Sequence, residues 1–241
     1  MRARSISKSV LCLASVVSLL GGVPAHSQPV EGVASAHSEK PLPNDAAGHA
    51  QTKGSQARSP ESVISETYLF LVKGGDPQAA IKLLDAAILS WPNDSRLYAH
   101  RGVIRSLAKD FEGAFADYDT SERLNPADSL AFDFRGLTLF DQGDLDHALV
   151  AFEGALARNP ADEIAFTGRG DIAFHRGKFN AALEDFNRAV AADPTYAKAW
   201  RDSGRARWAM SDLDGAIADL SRAIAIQPSE DAFRLRGLVW W

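Results

Sequence analysis

Ionisable side chains at helical spacing are the first candidates for chemistry in this sequence. Asp171 and His175 lie four residues apart, a separation that puts two side chains on one face of a helix. They could offer two ligands to a metal ion, but no third ligand is evident and a metal site needs converging ligands. The expectation is an exposed helix pair, with no resident metal and no cofactor. Lys198, Arg201 and Arg205 also define one helix face, at spacings of three and four. In a chain with 31 acidic against 26 basic residues, such a face could bind an acidic peptide or a C-terminal carboxylate. The alternative is that these cations pair with Asp171 and neighbouring acids. His147 reads as a solvated surface residue. The sequence has no HExxH, no glycine-rich phosphate loop and no serine in a nucleophile elbow. Cys12 is the only cysteine, so thiol chemistry is excluded from the remainder. No enzymatic activity is expected.

Charge and composition narrow the partners. Arg2, Arg4 and Lys8 precede an apolar run from Val10 to Leu20, which Gly21, Gly22 and Pro24 end. This is the pattern of a cleavable export signal over residues 1–27, with cleavage after Ala25 or after Ser27. The alternative is an uncleaved anchor, but even to Val23 the run is 14 residues, short of the ~20 needed for a span. The expected location is the periplasm or the exterior, with a bacterial envelope favoured and no stable membrane span. Beyond residue 27 the chain carries 23 basic and 31 acidic residues, which disfavours nucleic acid as a partner. Residues 28–60 lack aromatics and are rich in Ala, Ser, Gly, Pro, Gln and His. Such a stretch buries too little apolar surface to offset its ordering entropy and reads as a linker.

From residue 61 onward the elements that must position any site are periodic. Pro92, Pro126, Pro160, Pro194 and Pro228 recur every 34 residues. With this proline as position 32, the units are 61–94, 95–128, 129–162, 163–196 and 197–230, followed by part of a sixth over 231–241. Position 20 is alanine in all five, at Ala80, Ala114, Ala148, Ala182 and Ala216. Position 8 is glycine in four, and Tyr68 in the first. Position 24 is large throughout, at Leu84, Tyr118, Phe152, Phe186 and Leu220, whereas position 27 is small. Two apolar-periodic stretches per unit predict a pair of antiparallel helices, with small residues where the two cross. Asp76, Asp110, Asp144 and Asp212 at position 16 are predicted caps of the second helices, and Lys178 breaks that series.

The pattern closely resembles the tetratricopeptide repeat family, most clearly in the third unit with Phe132, Gly136, Gly143-Asp144, Ala148, Phe152, Ala155 and Pro160. The resemblance implies an all-α, right-handed superhelical α-solenoid whose first helices line a concave groove through positions 2, 5, 9, 12 and 13. Here those positions bring Asp133, Phe140 and Asp141 from unit three to the groove, then Asp171, Phe174 and His175 from unit four. Unit five adds Lys198, Arg201, Arg205 and Trp208. An aromatic stripe with acids in its middle and cations at one end would suit an extended peptide. The carboxylate clamp found in some members is not matched, since only Lys198 agrees among Asp133, Leu137, Gly168, Lys198 and Asp202. The functional expectation is a protein-binding scaffold. The second reading is self-association into a homo-oligomer through the truncated C-terminal helix, with Trp240 and Trp241 as candidates.

Overall fold

The computed structural model describes residues 58–240, so the predicted leader, most of the predicted linker and Trp241 lie outside the described residues. Among the described residues eleven helices follow one another, and none of these residues is in a β-strand. First helices of the units are α1 (Pro60–Val72), α3 (Ser95–Leu107), α5 (Leu130–Gln142), α7 (Glu163–His175) and α9 (Ala197–Ala209). Second helices are α2 (Pro77–Ser90), α4 (Phe111–Leu124), α6 (Leu145–Arg158), α8 (Phe179–Ala192) and α10 (Leu213–Ile226), and α11 (Glu230–Val239) begins a sixth unit. Each helix packs on its sequence neighbour, and successive first helices from α3 to α9 also touch, giving an α-solenoid. Among the described residues no helix is long and apolar enough to cross a membrane.

Local chemistry explains the helix ends. Asp76, Asp110, Asp144 and Asp212 each accept a hydrogen bond from the backbone N–H three residues on, satisfying donors that the first turn leaves free. Lys178 has nearly the same backbone angles as most of the capping aspartates but makes no side-chain cap, so α8 starts uncapped. α1 begins one residue before the expected unit boundary. Ser59 and Ser62 form a reciprocal capping box, and Pro60 supplies a preset φ at the first helical position. Left-handed backbone closes the turn inside units two to five, at Lys109, Gly143, Gly177 and Ser211.

Packing explains the columns. A Cβ on Gly136 would lie 2.7 Å from the Phe152 ring, and one on Gly102 would lie 2.5 Å from Tyr118. Gly170 faces Phe186 and Gly204 faces Leu220 in the same way. The position 8 glycine is therefore the notch that receives the position 24 side chain, which is fully buried in every unit. In unit one Tyr68 replaces the notch and reaches sideways instead, its hydroxyl 3.0 Å from His100 Nδ1. Burial pushes the His100 imidazole down to about 3, so this ring is neutral in the folded array.

The arginine that precedes the notch glycine holds the pair of helices together. Arg101 makes a two-pronged bond to Asp117, at 2.9 and 2.6 Å, and Arg169 makes the same bond to Asp185. Unit three has Ala151 where those acids stand, and Arg135 turns back to Asp119 and Glu122 of unit two.

Candidate functional site

The three cations of the predicted basic face are brought together on α9, but they do not stand free. Lys198 Nζ donates to Asp171 on α7 at 2.6 Å and to Asp202 at 2.8 Å. The Arg205 guanidinium reaches Asp171 at 2.7 Å, and Arg201 Nε reaches Asp202 at 3.1 Å. Three cations thus share two carboxylates, leaving one positive charge in excess. The face retains its basic character in a weakened form, because most of its field is taken up in cross-linking units four and five. Asp202 is 1% exposed and lies at the heart of this network. Burial opposes its ionisation, but Arg201, Lys198 and Arg205 outweigh that cost and hold its carboxyl well below the usual range. By sequence alone Asp202 is only a mismatch to the family clamp. Its spacing of four from Lys198 and three from Arg205 was the available signal.

Asp171 and His175 also part from expectation. They share α7, but Asp171 is largely buried by its two cations, whereas the exposed His175 ring sits edge-on to Phe140 at 5.2 Å. They are not an exposed pair acting together. Within the predicted aromatic stripe, Phe140 is half-buried beneath His175. Phe174 is half-buried between Phe179 and the Arg205 guanidinium, which lies 4.4 Å from its ring centre. Trp208 remains exposed at the end of α9. Asp141 is exposed as well.

Asp133 corrects the groove assignment outright, because it is 1% exposed and cannot present itself to a ligand. It sits against Asp162, the residue that caps α7 through the N–H groups of Ile164 and Ala165. Burial, reinforced by Asp162, raises the Asp133 carboxyl well above its ordinary value. Its Oδ1 is left buried with no hydrogen-bond partner. Gly168, the other clamp mismatch, has a packing reason. A Cβ there would lie 2.5 Å from two atoms of the Phe152 ring, so that ring is held between Gly136 and Gly168.

A second feature of the first-helix row was not singled out from sequence. A cavity of about 320 Å³ opens between α3 and α5, lined by Val103, Leu107, Phe134 and Leu137, with Lys109 and Asp141 among its polar neighbours. Val103, Ser106 and Leu107 are positions 9, 12 and 13 of unit two, so extending the same columns one unit earlier would have found it. Its size and apolar lining suit one or two side chains of a docked segment.

Comparison with known proteins agrees with this architecture. The tetratricopeptide repeat profile matches residues 71–129, 135–197 and 176–231, together more than half of the chain. No curated protein matches the sequence. Among solved structures, a thermophilic tetratricopeptide-repeat protein of Thermus thermophilus is similar with a TM-score of 0.62 and 17% identity, over 76% of this chain and 97% of that one. The Cut9–Hcn1 hetero-tetramer of the APC/C gives 0.65 and 17%, over 74% of this chain and 36% of that one. PilW, described as a widely conserved type IV pilus biogenesis factor, gives 0.59 and 19%, over 73% and 82%. At such identities the likeness is one of fold. With five units in register and the repeat profile matched along most of the array, this chain belongs to the tetratricopeptide repeat family.

Proposed function

We propose that the array is a non-catalytic scaffold that holds an extended segment of a partner protein along its first-helix row. The observation that carries this reading is the end of α9. An excess positive charge on the Lys198–Arg201–Arg205 network lies on the same helix as exposed Trp208, which supports docking of an acidic, aromatic-tolerant segment. The apolar cavity between α3 and α5 would take a side-chain anchor further along the same row. The site of action we propose is the cell envelope, on the strength of the basic, apolar and small-residue pattern of residues 1–27.

Reversing Arg201 and Arg205 to glutamate would leave Lys198 alone against Asp202, Asp171 and two new acids, so any lost binding would be confounded with lost packing. The cleaner variant joins Trp208→Ala with Arg201→Gln. A partner captured by the wild type from an envelope fraction should be lost with this variant at unchanged helicity. Undiminished capture would remove the α9 assignment.

A further inference from the structure

Position 12 of the first helices explains why a cavity opens between α3 and α5 and shows what shape it has. That position is aromatic in units three to five, at Phe140, Phe174 and Trp208, but Ser106 holds it in unit two. Where the ring is half-buried, its neighbours come from three recurring positions. Phe174 meets Phe179, position 17 of its own unit, with ring centroids 5.1 Å apart. The Arg205 guanidinium, position 9 of the next unit, lies 4.4 Å from the same ring centre. Phe140 meets His175, position 13 of the next unit, at 5.2 Å. Carried to unit two, positions 17, 9 and 13 are Phe111, Leu137 and Asp141, and all three line the cavity of about 320 Å³. Complete units stand on both sides of it, so side-chain size at Ser106 is what leaves the space. The cavity is the seat of a ring that unit two does not carry.

We infer that the bound partner segment seats an aromatic side chain here, with an acidic residue beside it, which rests on the scaffold reading above and gives its second anchor a chemistry. A closed cavity of about 150 Å³ accepts a benzene ring, so this one has room for a phenyl or indole group. A ring would lie against Phe111 and Leu137 as Phe174 lies against Phe179 and Arg205. An aliphatic side chain would fill less of the space and forgo the ring contact. Charge sets the neighbour of that ring. Lys109 is exposed at the cavity and makes no ion pair among the described residues, its ammonium lying 5.7 Å from the Phe111 ring centre. Asp141 on the same lining is already engaged. Lys109 therefore favours an acidic residue next to the seated ring over a basic one.

Two blocked tripeptides test this by NMR titration, one with phenylalanine between two glutamates and the other with alanine in its place. Each spans only ~10 Å when extended, too short to reach α9 from the cavity. The phenylalanine peptide should shift the methyl signals of Val103, Leu107 and Leu137 and bind at least ~10-fold more tightly than the alanine one. Ser106→Phe gives unit two its own ring, so it should raise Tm by at least ~2 °C and weaken the phenylalanine peptide at least ~10-fold. Lys109→Glu should weaken that peptide at least ~3-fold. Equal binding of the two peptides overturns the inference, and so does binding that Ser106→Phe leaves intact. Absence of methyl shifts at ~10 mM peptide overturns it without any variant. Capture from an envelope fraction separates the anchor from the scaffold reading. A partner kept by Ser106→Phe but lost with the joined Trp208→Ala and Arg201→Gln variant overturns the anchor alone, and a partner lost with neither overturns both.

Discussion

Phe152 offers a sharp test of the packing logic, because glycines from two different units enclose its ring. Gly136 lies on its own unit's first helix and Gly168 on the next unit's, so the ring has no side toward which to retreat. Gly168→Ala would place a methyl 2.5 Å from Cε1 and Cε2 of that ring, and closer still to Cζ. Overpacking of a fully buried site costs about 1–3 kcal/mol, and an approach below 2.5 Å to a ring enclosed on both sides places this one in the upper part, about 2–3 kcal/mol. Alanine also gains about 1 kcal/mol over glycine in a helix, leaving a net loss of about 1–2 kcal/mol. For a chain of this size that is a fall in Tm of roughly 3–6 °C, measured by circular dichroism on heating and checked in urea. Phe152→Leu removes the far end of the ring and should relieve the clash. The double variant should then be more stable than the sum of the single losses by at least ~1 kcal/mol. If Gly168→Ala proved as stable as the wild type, the ring would be free to move, and the account of these glycines as notches would fail.

Three further outcomes follow from the capping and burial patterns. Lys178→Asp restores the cap that four aspartates make at the same position, and should stabilise the array by about 0.5–2 kcal/mol in urea denaturation. Asp133→Asn keeps the side chain's shape beside Asp162 and removes the carboxyl that resists ionisation. Because the folded-state value is raised, wild-type stability falls as pH rises above the unfolded value, so the variant's advantage should widen from about pH 4 upward. His100 acts in the opposite sense. Its folded value of about 3 lies below the usual 6.5, so its contribution to stability is lost as pH falls through that range. The loss is about 3 kcal/mol between pH 7 and pH 4, and His100→Gln should flatten that part of the stability profile by a similar amount.

Much of the architecture was legible because each column records a contact that recurs between chain neighbours. The 34-residue proline ladder, the aspartate caps and the pairing of a small position 8 with a large position 24 all report contacts inside one helical hairpin. A contact repeated five times is visible as a column even where any single instance would be ambiguous. The candidate site was less legible for the complementary reason. Lys198 and Arg205 meet Asp171 from 27 and 34 residues away, and no column marks that pairing because it occurs once. Asp133 occupies a position that faces the groove by register, but Asp162 closes over it.

By itself, the sequence determined a solenoid of helix pairs, its unit boundaries within a residue, its caps and its notches. Nearest-neighbour packing sets these, and the chain order already dictates who the neighbours are. Only the tertiary structure decided which charges are committed to holding units together and which aromatic remains exposed. Those outcomes depend on how far one first helix is displaced along the next, a lateral offset that no single unit encodes.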